Sequence, residues 1–143
     1  MSVKQLSILA GAVWCVFSTL AVAGTPALDG THVYIISPAD GEVVTSPVRV
    51  RFGLSGMGVA PAGTGKEHTG HHHLLIDVEK LPPLDRPVPN DPHHRHFGGG
   101  QTETKIELTP GKHTLQLLLG DTNHMPHQPA LLSEKITIEV VQD

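Results

Sequence analysis

Residues 71–78 read HHHLLIDV. In an extended chain, successive side chains point to opposite faces, so His72, Leu74, Ile76 and Val78 share one face and His71, His73, Leu75 and Asp77 the other. The second face carries most of the polar groups. A strand with an apolar face must pack against something, and the flanking sequence supplies further strands. Upstream, Gly53 to Gly70 holds six glycines and no apolar period, which predicts a long connection. Before it, Val48, Val50 and Phe52 alternate with Arg49 and Arg51, the period-two pattern of a half-buried strand. Glu42–Thr45 and Thr31–Ser37 (THVYIIS) are two more β-rich runs, set apart by Pro47 and by the Pro38-Ala39-Asp40-Gly41 turn.

Downstream, residues 81–100 contain five prolines, three histidines and three consecutive glycines. That stretch is too irregular for a strand and too long for an ordinary hairpin loop, which marks it as a functional loop. Thr102–Leu108, Lys112–Gly120 and Leu132–Val141 read as strands, separated by Pro110-Gly111 and by a His/Pro loop from Asp121 to Ala130. No stretch has helical periodicity. The expectation is an all-β fold: an immunoglobulin-like antiparallel β-sandwich of about seven strands, following a signal peptide.

The first 23 residues carry one positive charge, Lys4, and then an apolar run ending in Ala21-Val22-Ala23, a small-x-small cleavage pattern. We read 1–23 as a signal peptide and 24–143 as a single β-sandwich domain, periplasmic or secreted, with no membrane span after cleavage. The apolar run, about 17 residues, is at the short limit for a transmembrane helix. Cleavage moves the net charge from −4 to −5, because Lys4 is the only charged residue lost. An acidic chain has no basic surface to neutralise phosphates, so nucleic acid is excluded as a partner. The one cysteine, Cys15, leaves with the signal, which removes disulfides, zinc–cysteine sites, iron–sulfur clusters and a blue-copper His₂Cys site from consideration.

Histidine is the outlier, with 11 in 143 residues. Nine fall in or beside three stretches: His68 to His73, His93 to His96, and His124 to His127. On a strand His71 and His73 lie about 6.6 Å apart on one face, so their rings can turn toward one ion. His124 and His127, in a loop stiffened by Pro126, form a second half-site, and His96 precedes a glycine run that lets backbone approach closely. Asp121 is placed to ligate or to orient a ligand ring. A bulge near Gly70 would swap the faces and make His72 the ligand instead. Imidazole with an occasional carboxylate suits divalent copper or zinc, and Met125 would add a soft donor for Cu(I). His32, His68 and His113 read as structural, His93 and His94 as solvated loop residues. A His-brace centre needs an N-terminal histidine, which Gly24 does not supply. No G-x-S-x-G elbow or nucleophilic cysteine is present either.

Several runs taken together carry a resemblance: Ser37-Pro38-Ala39-Asp40-Gly41, Gly70-His71-His72-His73-Leu74-Leu75-Ile76-Asp77, His96-Phe97-Gly98-Gly99-Gly100-Gln101-Thr102-Glu103, Pro110-Gly111-Lys112-His113 through Gly120-Asp121, and His124-Met125-Pro126-His127. Over about residues 31–141 the chain resembles a family of small exported bacterial proteins catalogued as a domain of unknown function. The resemblance implies export from a Gram-negative-type cell and one β-rich domain, and brings no activity or ligand with it. His93 and His94 are additional to its pattern.

The residues themselves therefore carry the functional expectation. It is a non-catalytic, periplasmic, histidine-rich metal-binding protein for copper or zinc, with His71, His73, His96, His124, His127 and Asp121 as the metal site. A cell-envelope module that binds a peptide, glycan or partner protein, its histidines structural, is the alternative. A metalloenzyme ranks third.

Overall fold

The structure is a computed structural model and describes residues 24–142; the expected signal peptide and Cys15 lie outside them. The described residues form an all-β fold with nine strands: β1 (His32–Ser37), β2 (Val43–Thr45), β3 (Val48–Ser55), β4 (Gly58–Val59), β5 (Thr69–Ile76), β6 (His94–His96), β7 (Glu103–Ile106), β8 (Gly111–Gly120) and β9 (Ile136–Val141). Among the described residues no helix is long and apolar enough to cross a membrane.

Three strands make one sheet, in the order β1-β3-β7. The other six form a second sheet, β2-β9-β8-β5-β4, with β6 also paired to β5. Between the sheets lies one core. Val33, Val48, Val50, Phe52 and Ile106 from the small sheet meet Leu74, Ile76, Leu115, Leu117, Leu119, Ile138 and Val140 from the large one. Every second residue of β3, β5, β8 and β9 supplies this layer, as period-two alternation requires.

Three expectations change here. There are nine strands rather than about seven, because β4 and β6 form inside the stretches read as connections. Strands of two and three residues are too short to leave a period in the sequence, and each exists through its pairing with β5. The large sheet is also mixed rather than purely antiparallel, since β2 pairs parallel to β9 and β4 parallel to β5, while the small sheet is antiparallel throughout. The Asp40-Gly41 turn holds β2 on that edge: Asp40 Oδ1 accepts the Thr137 N–H at 2.8 Å, and the Gly41 N–H donates to the Thr137 carbonyl at 2.7 Å. Strand β9 also begins later than Leu132. Ser133 pairs its N–H and its hydroxyl with the backbone of Leu117, which leaves Leu132 as an isolated bridge to Leu118 before the ladder starts.

Strand β5 is buried from Gly70 to Ile76, with both faces covered. Its alternation is as expected through Ile76. Asp77 then takes a positive φ of 54°, which breaks the alternation and sends Val78 to the outer face beside Leu75, Leu118 and Val88. A second, smaller apolar cluster thus covers the outer face of the large sheet under the loop of residues 78–88. The three histidines lie just N-terminal to it on the same strand.

His72 faces the inner core, its ring 5.3 Å from that of Phe52. It is 0 % exposed, and neither ring nitrogen has a hydrogen-bond partner. A buried polar group left unpaired costs about 1–3 kcal/mol. Leucine has a similar volume and nothing to hydrate, so His72→Leu is expected to raise stability by about 1–2 kcal/mol. Urea unfolding at pH 7 measures this, and a lower midpoint in the variant would contradict it.

Candidate metal centre

Strand registers bring three histidines to one face. His73 lies opposite Leu118 on β8 and opposite His96 on β6, while His71 lies opposite Gly120 at the end of β8. Directly opposed residues hold their Cβ atoms about 5 Å apart, so the β5–β6 pairing sets His96 beside His73. The chain then leaves β8 and folds back over this face as a tight loop. Asp121 closes it: Oδ1 accepts the N–H groups of Asn123 and Met125, and its backbone N–H donates to the Met125 carbonyl. His124, at φ 64°, turns its ring onto the other three. Left-handed backbone costs a non-glycine residue about 1–2 kcal/mol, which this hydrogen-bonded loop offsets.

His71, His73, His96 and His124 each offer one ring nitrogen, and all four nitrogens lie within 4.8 Å of one another. His71 Nε2 and His124 Nδ1 are 3.1 Å apart. Two nitrogens on one ion, each bonded at about 2.0–2.1 Å, stand close to that separation. His71 and His73 are 0 % and 1 % exposed. His71 Nδ1, His73 Nδ1 and His96 Nε2 are buried without any hydrogen-bond partner. Folded proteins seldom leave three such groups unpaired in one place; an ion takes one nitrogen from each ring, so ligation through His71 Nε2 leaves His71 Nδ1 as a buried N–H.

The electrostatics favour ligation as well. Burial lowers His71 to about 4, assisted by the neighbouring His96 and His124. Burial also brings His73 down to about 3, reinforced by His71, His96 and His124. His96 is lowered, first by burial and then by His124. Rings held neutral at pH 7 have lone pairs available, so an ion displaces few protons on binding. The group contains no carboxylate and no thiolate. Asp121 acts on His71 only through its charge, as a minor opposing effect.

The remaining candidates fall elsewhere. His127 lies outside the group of four; it is buried, and Nδ1 sits 3.5 Å from the Leu119 carbonyl oxygen. Asp121 Oδ2 accepts the N–H and the hydroxyl of Thr25, so its side chain bonds to the loop and to the first described residues rather than to a histidine ring. His72 points to the opposite face. His94, expected as solvated loop, is half-buried in β6 with Nδ1 2.9 Å from Asp91 Oδ1, and His93 Nδ1 lies 2.8 Å from the Ile76 carbonyl oxygen. His113 is structural as expected, bridging Asp77 and the Thr109 carbonyl. Burial alone would lower it, yet the Asp77 hydrogen bond leaves it raised.

Two glycines belong to the site: Gly98, from the glycine run after His96, and Gly120, which the sequence does not mark. The His96 ring lies against Gly98, and a Cβ there would sit 2.3 Å from His96 Cε1; a Cβ on Gly120 would sit 2.7 Å from His73 Cε1. Gly98→Ala is expected to displace the half-buried His96 and weaken metal affinity by about tenfold, with stability changed by less than about 0.5 kcal/mol. Gly120→Ala acts on a buried ring and is expected to lower both affinity and stability, the latter by about 1–3 kcal/mol. Metal titration beside thermal unfolding separates the two, and unchanged affinity in both variants would contradict the seating described.

A family model described as Domain of unknown function (DUF4399) matches residues 50–141, more than half of the chain. The matched span takes in all four histidines. No curated protein and no solved structure matches.

Proposed function

This chain belongs to the family described as Domain of unknown function (DUF4399), and we propose that it is a periplasmic, non-catalytic metal-binding protein that handles copper or zinc through His71, His73, His96 and His124. One observation carries this reading: four imidazole nitrogens within 4.8 Å of one another, two of the rings wholly buried, and three buried ring nitrogens with no partner. A structural role for these histidines would supply hydrogen-bond acceptors to the rings. His113, between Asp77 and the Thr109 carbonyl, is what such a histidine looks like in this fold. Export through a signal peptide cleaved after Ala23, and an immunoglobulin-like sandwich as the scaffold, complete the proposal.

The test is elemental analysis and metal titration of the tag-free chain from residue 24. One copper or zinc ion per chain is expected, with a rise in thermal midpoint as binding to the folded state alone requires. Absence of binding and of any shift at millimolar metal would overturn the reading. A second reading, a cell-envelope module binding a peptide, glycan or partner protein, draws on a cavity of about 390 Å³ lined by Thr64, Lys66, His68, Thr69, Asp121 and His127.

A further inference from the structure

We infer that the four-histidine centre is built for a monovalent ion, Cu(I), in preference to Cu(II) or Zn(II); this rests on the metal-binding reading above and specifies its cargo. The first support is charge. Histidine brings no negative charge, and the group holds neither carboxylate nor thiolate, so the loaded centre keeps the full charge of its ion. Two of the four rings are at most 1 % exposed. The cost of burying a charge rises with its square, so a divalent ion is penalised about four times as heavily as a monovalent one. The carboxylate nearest in the loop offers little relief. Asp121 has both oxygens engaged, Oδ1 by the Asn123 and Met125 amides and Oδ2 by Thr25.

The second support is shape. The six ring-centroid separations among the four histidines run from 4.7 to 6.3 Å. Four points so nearly equidistant cannot lie in one plane. Three of the rings also stand edge-on to one another: His71 to His96 at 76°, His71 to His124 at 82°, and His96 to His124 at 87°. Cu(II) prefers a tetragonal plane of ligands, whereas a filled d shell accepts the tetrahedral arrangement. Shape therefore disfavours Cu(II), and charge decides between Cu(I) and Zn(II). The rings of His73 and His96 are set by the β5–β6 register and lie against Gly120 and Gly98.

The experiment is a set of anaerobic competition titrations of the tag-free protein with Cu(I), Cu(II) and Zn(II), together with the reduction potential of the copper-loaded form. Cu(I) is expected to bind at least a hundredfold tighter than Cu(II), which places the potential above that of the aqueous copper couple, and also tighter than Zn(II). His96→Asp, at the half-buried edge of the site, adds the missing negative charge and is expected to cut the Cu(I) to Cu(II) affinity ratio at least tenfold. Tighter binding of Cu(II) or Zn(II) by the unaltered protein overturns the inference and leaves the metal reading standing. Failure of all three ions to bind overturns both. An unchanged ratio in a folded His96→Asp protein removes the charge argument, and the potential of the unaltered protein still tests the preference if that variant does not fold.

Discussion

Replacing His71 and His73 together by asparagine is expected to lower metal affinity by more than about a thousandfold, since loss of a single supporting group outside the ligand set already costs about 10–100-fold. Both residues sit on β5 opposite β8 and β6, so the change empties half of the donor set while the strand ladder remains. His124→Ala removes one of four donors, with an expected loss of at least about a hundredfold. The sequence pattern pairs His127 with His124, but only His124 is within reach of the others. His127→Gln should therefore change affinity by less than about threefold, an effect that does not reach the range for supporting groups. His93 and His94, bonded to the Ile76 carbonyl and Asp91, should behave like His127. Competition titration on variants with unchanged far-ultraviolet circular dichroism measures the set. Loss of binding in the His93/His94 variant with retention in the β5 variant would falsify the four-histidine centre.

The division of labour along β5 is what the sequence shows most directly. Two-residue alternation separates His71 and His73 from His72 without any knowledge of partners, and burial of Leu74 and Ile76 on the inner face fixes which side is which. What alternation cannot supply is the neighbour. The stretch from 81 to 100 is rich in proline and contains only a three-residue strand, His94–His96. Its pairing with β5 is a long-range fact set by tertiary packing. His96 was legible as a candidate through the following glycines, although their function is closer than the run suggests: Gly98 makes room for the ring of His96 itself. The loop after β8 was legible as a histidine loop but not in its curvature. Residue 124 lies in the left-handed region, and Asp121 spends its oxygens on closing the turn and on Thr25, so the ring of His124 swings inward. The N-terminal segment's part in this, with Thr25 on Asp121 and Pro26 bridged to Gln128, leaves no pattern in residues 24–30. The parallel placement of β2 and β4 is equally silent, because period two is the same in either direction.

Acid is expected to unfold the metal-free protein well above the pH at which its carboxylates titrate. His71 and His72 are lowered to about 4 and His73 to about 3, in each case with burial as the leading cause. In the unfolded chain they return to an ordinary value near 6.5. Between these values the unfolded state binds protons that the folded state refuses, so stability falls as pH falls. The contribution is fully present above about pH 6.5 and is lost progressively down to about pH 4 for His71 and His72 and about pH 3 for His73. His72, perturbed by burial alone, contributes about 3 kcal/mol across its window at about 1.4 kcal/mol per unit. His71 and His73 act in the same direction, against a total that for domains of this size is about 5–15 kcal/mol. His113 has the opposite sign: its raised value means that its link to Asp77 is fully present below about 6.5 and is lost as pH rises through that raised value. One exposed-side pair does not balance three buried rings. Urea unfolding at pH 7 and pH 4.5 should show the difference as a fall of several kcal/mol. His72→Leu should recover the His72 share, since leucine has no proton to take up. A bound ion holds the rings of His71 and His73 unprotonated and should carry the transition to lower pH. Equal midpoints at the two pH values would mean that the buried histidines find proton acceptors that this fold does not offer them.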